Sequence, residues 1–165
     1  MSTDVARTIP VEEFRSVVLA SLEEATSTVH GIFLDKGEAL YETLDGITAE
    51  QASMPLGPGS GTIAAKVNHI RFYVDVVLRN AAAGEYVKAD WASSWAVDAV
   101  SDEEWAQLVE GLKASFAQFT ELARTTEQWP EQVLGGAIGV VVHTGYHLGE
   151  IRQALAYLRS ENESV

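Results

Sequence analysis

The sequence contains no cysteine among its 165 residues. Disulfide bonds, thiolate metal ligands and a cysteine nucleophile are therefore excluded, so any metal must be held by histidine, aspartate or glutamate. Basic residues are also scarce, because 11 Lys and Arg stand against 24 Asp and Glu, for a formal net charge of −13. No Lys- or Arg-rich run offsets this excess, and we expect no nucleic-acid partner.

Long apolar runs are absent as well. The longest, at residues 133–142, is too short to span a bilayer, and the first ten residues have no apolar signal core. We therefore expect a soluble protein with no membrane partner and a cytoplasmic location, with which the lack of cysteine agrees. The length suits a single domain, placed at residues 10–160, with flexible polar tails at 1–9 and 161–165.

Apolar residues recur at helical rather than strand spacing along most of the chain. Helix one is predicted from Pro10, with a break or bend at Gly31 and a continuation through Phe33 to Gly46. A capping box at 48–51 opens a short turn, and a loop rich in Gly and Pro follows at 54–61. Three further helices are predicted at about 62–82, 101–126 and 131–159. Residues 85–100 show no period, so the pattern predicts an all-α four-helix bundle with a long crossover between helices two and three.

Three of the four histidines can be drawn into one cluster. His143 and His147 lie four residues apart on helix four and share one face, and Glu150 falls within the same arc. Imidazole is a common neutral metal ligand, and three of them with open positions suit zinc, nickel, iron or manganese. The competing interpretation is a helix face with ordinary hydrogen-bonded histidines.

The surroundings of the pair favour a metal. Residues 135–142 read Gly-Gly-Ala-Ile-Gly-Val-Val-Val, a segment predicted to be buried. Its glycines cost about 1 kcal/mol each relative to alanine, which indicates a close helix–helix approach or room for a ligand. Buried imidazoles also need polar partners. His69 lies beside the apolar stripe of helix two, and its spacing alone does not require it to meet the pair; His30 is assigned a helix-end or surface role.

Three motifs, taken in order, carry a resemblance to a known family. They are Leu44-Asp-Gly-Ile-Thr-Ala-Glu-Gln51, then Gly59-Ser-Gly-Thr-Ile63 with Val67-Asn-His69-Ile70, and His143-Thr-Gly-Tyr-His147-Leu-Gly-Glu-Ile151. The chain resembles the DinB-like (YfiT-like) metal-dependent proteins from about Phe33 to Leu158. The resemblance implies an up-down-down-up arrangement, a divalent metal held by His69, His143 and His147, and a homodimer.

Glu150 departs from the family pattern, in which this position is commonly Gln. A carboxylate there could ligate the metal, act as a base, orient a bound water, or pair with Arg152 or another neighbour, and we favour the pairing role. Trp91 and Trp95, in the crossover, either cap the bundle or line the mouth of a pocket, and we favour a role in covering the core.

Three functions follow from such a site. The first is a metal-dependent enzyme acting on a small-molecule substrate, best described as a thiol S-transferase for detoxification, because relatives transfer cellular thiols such as bacillithiol or mycothiol. Glu150 or Tyr146 would then assist proton transfer. The second is metal-dependent hydrolysis with Glu150 as general base. The third is a non-enzymatic protein that binds a small ligand or senses metal.

Overall fold

The structure is a computed structural model that describes residues 9–55 and 61–162. Within these ranges the regular structure is entirely helical, which confirms the predicted all-α class. The predicted tails lie largely outside the described residues, as does most of the predicted loop at 54–61. The helices are α1 (Val11–Thr26), α2 (Leu40–Asp45), α3 (Ala49–Ser53), α4 (Ile63–Ala83), a 3₁₀ helix (Trp91–Trp95), α5 (Asp102–Thr125) and α6 (Glu131–Asn162).

Four long helices, α1, α4, α5 and α6, pack into a bundle in which α4 contacts both α5 and α6. The predicted helix boundaries are close to those observed for α4, α5 and α6. Capping explains this agreement: the Ser101 hydroxyl accepts the Glu104 N–H at the start of α5, and Thr62 caps α4 in the same way. Gly84, with φ of 70°, ends α4 in the left-handed conformation. The up-down-down-up order implied by the resemblance stays a prediction.

The prediction of a helix one that continues past Gly31 is wrong. Helix α1 begins at Val11, after Pro10, and ends at Thr26; an irregular segment follows until α2. Phe33, placed by its spacing on the helical stripe, lies in this segment and is 46% exposed. Gly31 adopts a φ of 80°, in the left-handed region, which is incompatible with a continuing right-handed α-helix.

The carboxylate of Glu24 organises the segment that interrupts the helix. It is fully buried, and it accepts hydrogen bonds from the backbone N–H groups of His30, Ile32, Phe33 and Leu34 at 2.5–2.9 Å. Burial acts to raise the pKa of Glu24, but the four donors outweigh it and lower the pKa from 4.5 to about 2. These amides are therefore satisfied by one side chain instead of by helical carbonyls.

The core lies between α4 and its neighbours. Trp105, on α5, donates its indole N–H to the Ile47 carbonyl at 2.9 Å, which joins α5 to the turn between α2 and α3. The predicted apolar stripe of α5 is buried, with Trp105, Leu108, Leu112, Phe116 and Phe119 all at most 8% exposed. Among the described residues, every helix is too short or too polar to cross a membrane.

Candidate metal centre

Three imidazole rings from two helices meet at one point. His69 projects from α4, and His143 and His147 project from α6. The Nε2 atom of His143 lies 3.1 Å from Nε2 of His69 and 3.2 Å from Nε2 of His147. One ring nitrogen from each residue can be chosen so that all lie within 4.8 Å of one another. The structure therefore brings the three predicted ligands together.

The orientation of His69 is set by Ser94, a fully buried residue of the 3₁₀ helix. The Ser94 hydroxyl donates its proton to the Trp91 carbonyl at 2.7 Å and lies 2.7 Å from Nδ1 of His69. Because a serine has one hydroxyl proton, it accepts the second bond from an Nδ1–H of His69. Nε2 of His69 is then unprotonated and carries its lone pair toward the other two rings.

His147 is held in the same tautomer by Glu150. The Nδ1 atom of His147 lies 2.8 Å from Oε2 of Glu150, and Nζ of Lys66 donates to the same oxygen at 3.0 Å. Burial acts to raise the pKa of Glu150, but the bonds from His147 and Lys66 outweigh it and lower the pKa below 4.5. The ionised carboxylate accepts the Nδ1 proton of His147, which leaves Nε2 as the nitrogen through which this ring could bind a metal.

The third ring, His143, lies flat against Tyr73, with ring centroids 4.0 Å apart and planes 15° from parallel. Its Nδ1 atom is buried and has no hydrogen-bond partner within the described part of the chain. The Tyr73 ring fits because residue 139 is glycine: a Cβ there would overlap the Tyr73 hydroxyl. Gly139, which precedes His143 and His147 on α6, therefore permits a close approach between α6 and α4.

Burial favours the neutral form of His69 and of His143. Burial lowers the pKa of His69 to about 4, helped by the neighbouring His147. Burial lowers the pKa of His143 to about 3, helped by His147 and His69. Neutral imidazole is the form that binds metal ions.

The distances between the ring nitrogens of the cluster can be compared with those around a bound divalent cation. Nε2 of His143 lies 3.1 Å from Nε2 of His69 and 3.2 Å from Nε2 of His147, so these ring nitrogens can share either a ring proton or one cation. Tetrahedral coordination at about 2.0–2.1 Å would place two nitrogens roughly 3.3–3.4 Å apart, near the observed 3.1 and 3.2 Å. The donor set and its spacing are therefore suited to a transition-metal ion.

The structure also places the other residues that the sequence analysis considered, which are Tyr146, Glu150 and His30. Tyr146 is 64% exposed and meets the His147 ring edge-on, with centroids 4.8 Å apart. Of the two partners considered for Glu150, Arg152 or another neighbour, the structure has neighbours: Lys66 and His147 contact Glu150, and Arg152 donates to Glu38. His30 lies outside the cluster and pairs on the surface with Glu23.

Two expectations about the surroundings also change. Trp95 stacks on His69 with centroids 3.9 Å apart and, like Trp91, stays partly exposed, so these rings border the cluster rather than cover the core. The segment 135–142 is buried on one face only, since Ile138 is 43% and Val142 63% exposed. Apolar side chains are common on protein surfaces, so the hydrophobicity of this segment alone overestimated its burial.

Three contributors to the site were not predicted from the sequence: Lys66, Tyr73 and Ser94. Lys66 and Tyr73 stand three residues before and four residues after His69, so helical spacing could have placed them on its face. Ser94 comes from an aperiodic segment, and the sequence carries no signal for it.

The sequence pattern of the DinB superfamily matches residues 33–151, well over half of the chain and including all three clustered histidines. The chain belongs to the DinB superfamily, as the motifs predicted. No curated protein and no solved structure matches the chain.

Proposed function

We propose that this protein is a divalent-metal-dependent enzyme that transfers a low-molecular-weight thiol to an electrophilic small molecule. The observation that carries the proposal is the convergence of three Nε2 atoms, with the rings of His69 and His147 oriented by Ser94 and Glu150. Membership of the DinB superfamily, whose proteins bind metals, agrees with it.

The ligand set supports thiol chemistry. Three neutral imidazoles would leave a divalent ion its full charge and open coordination positions, and such an ion, when bound, deprotonates a coordinating thiol. The chain has no cysteine of its own, so the sulfur would come from a small molecule. The sulfur would form a bond to carbon as the carbon–leaving-group bond breaks, and the thiol proton would pass to solvent.

The protein's own residues would position the reactants. Ser94 orients the imidazole of His69, and Glu150 orients that of His147. Lys66, which is only 7% exposed, compensates the negative charge of Glu150. The partly exposed rings of Trp91, Trp95 and Tyr146 offer apolar surface beside the cluster. Such surface suits an aromatic or alkyl electrophile better than a charged one.

Hydrolysis is the weaker alternative because of the state of Glu150. A general base works best when its pKa lies near the operating pH. The pKa of Glu150 is lowered below 4.5, and its Oε2 atom already accepts bonds from Lys66 and His147. This carboxylate is therefore suited to orienting His147 rather than to removing a proton from water.

The first experiment measures metal by elemental analysis of untagged protein. We expect about one divalent ion per chain in the wild type, none retained after His143→Ala or His147→Ala, and weaker retention after His69→Ala. His30→Ala is the matched control, because His30 lies outside the cluster and should leave the metal content unchanged. Metal retained at the wild-type ratio in the His143 and His147 variants would contradict this site.

The second experiment tests the reaction with 1-chloro-2,4-dinitrobenzene and a panel of cellular thiols, following thioether formation and chloride release. We expect activity in the metal-loaded protein and in His30→Ala, and loss in His143→Ala. Ester or amide hydrolysis that falls with Glu150→Gln, without thioether formation, would favour the hydrolase. Metal binding with neither activity would favour the ligand-binding or metal-sensing alternative.

We also propose that the protein forms a homodimer, as the family resemblance implies. Size-exclusion chromatography with light scattering measures this directly. A mass near the 17.9 kDa of one chain would contradict the proposal.

A further inference from the structure

A cavity with a volume of about 560 Å³ lies at the end of the bundle where α4 and α5 end and α6 begins. It is separate from the histidine cluster. Along α4 the order is His69, Tyr73, Val77, and along α6 it is Gly136, Gly139, His143. The contact of Tyr73 with Gly139 therefore lies between the cluster and the cavity, whose wall includes Val77 and Gly136.

The walls of this cavity are mainly apolar. Side chains from all three helices and from the connection before α6 contribute, among them Val77, Phe119, Leu122, Trp129 and Val133. Trp129 is held in place by an edge contact with Phe14, at 5.4 Å between ring centroids, and by its N–H bond to the Thr126 carbonyl at 3.2 Å. A volume of this size lies within the range of about 300–1,000 Å³ typical of small-molecule sites.

Asn80 adds a hydrogen-bonding side chain to the cavity wall. Its Oδ1 atom accepts the Val87 N–H at 2.8 Å, which defines which end of the amide is oxygen. The amide nitrogen of Asn80, a residue that lines the cavity, has no partner within the described residues. A ligand with an acceptor oxygen would satisfy it.

The charge around the cavity disfavours anions. Glu85 is a lining residue, no Lys or Arg contributes to the wall, and the whole chain carries a net charge of −13. The guanidinium of Arg15 donates to the carbonyl of the lining residue Thr126, but it is already paired with Glu12, so a carboxylate or sulfonate ligand would meet net repulsion.

We propose that this cavity is a binding site for an uncharged, predominantly apolar small molecule with a carbonyl or ether oxygen that accepts from Asn80. Occupation of the site does not depend on the metal centre. The apolar wall would contribute most of the affinity, and the Asn80 donor would orient the ligand.

The probe that tests this is 6-propionyl-2-(dimethylamino)naphthalene, a neutral fluorophore with one carbonyl. We expect saturable one-to-one binding with a blue-shifted emission, and binding about tenfold weaker or more for the anionic 8-anilinonaphthalene-1-sulfonate. Glu85→Gln should strengthen binding of the anion and leave the neutral probe unchanged. Absence of saturable binding of the neutral probe, or preference for the anion, would overturn the proposal.

Two neighbouring alanines give a matched pair. Ala81 lines the cavity and Ala82 does not, although both are exposed residues of α4. Ala81→Leu should abolish saturable binding, whereas Ala82→Leu should preserve it. Asn80→Asp keeps the acceptor for Val87 but removes the donors, and should weaken binding of the neutral probe about five- to tenfold.

Equal binding by the two alanine variants, confirmed as folded by circular dichroism, would show that the probe binds elsewhere. The His143→Ala variant separates this site from the metal centre, because it should bind the neutral probe as the wild type does. Loss of probe binding in that variant would contradict the independence of the two sites.

Discussion

The contact between Gly139 and Tyr73 predicts that the effect of Gly139→Ala on the free energy of unfolding depends on which residue occupies position 73. A methyl group at residue 139 would overlap the Tyr73 hydroxyl, while the next nearest atoms, Cζ and Cε1 of Tyr73, would lie at 3.5 and 3.8 Å. The clash therefore involves one oxygen atom. The ring cannot move away without leaving its stacked position on His143, 4.0 Å between centroids.

The magnitude follows from two opposing effects. Replacing a glycine in a helix interior by alanine stabilises a protein by about 1 kcal/mol. Overpacking of a well-packed contact costs about 1–3 kcal/mol. Gly139→Ala should therefore range from neutral to about 2 kcal/mol destabilising in the wild-type background. In the Tyr73→Phe background the oxygen is gone, and the same change should stabilise by about 1 kcal/mol.

Urea unfolding followed by circular dichroism measures the four members of this cycle, and we expect a coupling of about 1–3 kcal/mol. Gly135→Ala and Gly149→Ala are matched controls on the same helix, because a Cβ at either position meets nothing within 4 Å. Each should stabilise by about 1 kcal/mol whichever residue occupies position 73. The same effect of Gly139→Ala in both backgrounds would refute the reasoning.

Three further predictions concern single residues. The folded pKa of Glu24, about 2, lies below 4.5, so its stabilisation is full above pH 4.5 and is lost as the pH falls toward 2. Urea unfolding between pH 6 and 3 should show this loss in the wild type and in Glu23→Gln but a shallower loss in Glu24→Gln; parallel curves would contradict it. Ser101→Ala should lower the free energy of unfolding by about 1 kcal/mol through loss of the α5 cap, and Ser101→Asp should retain most of it. Glu150→Gln should keep the metal, since the amide oxygen can still accept from His147; metal loss measured by elemental analysis would make Glu150 a direct ligand.

Local rules account for what could be predicted from the sequence. Capping residues defined where α4 and α5 begin, because a cap acts on backbone N–H groups only two or three residues away. Helical spacing placed His143 and His147 on one face, because residues four apart are neighbours on any α-helix. The DinB motifs added His69 to this pair before any packing was known.

The interruption of helix one shows where such rules stop. The spacing of apolar residues beyond Gly31 continued to fit a helix, yet the buried Glu24 carboxylate collects four amides and holds the chain in an irregular path. A side chain that competes for backbone N–H groups does not change the spacing of the apolar residues, so that spacing cannot predict its effect.

The sequence by itself determined the helical class, most helix ends and the pair of histidines on α6. Only the tertiary structure decided that His69, separated from His143 by 74 positions, meets it at 3.1 Å, and that Ser94 and Lys66 complete the surroundings. The physical reason is range: propensity and capping act within one helical turn, whereas these contacts depend on how closely α4 and α6 pack. The absence of a side chain at Gly139 permits the close approach of Tyr73, a contact between two helices that neither helix specifies alone.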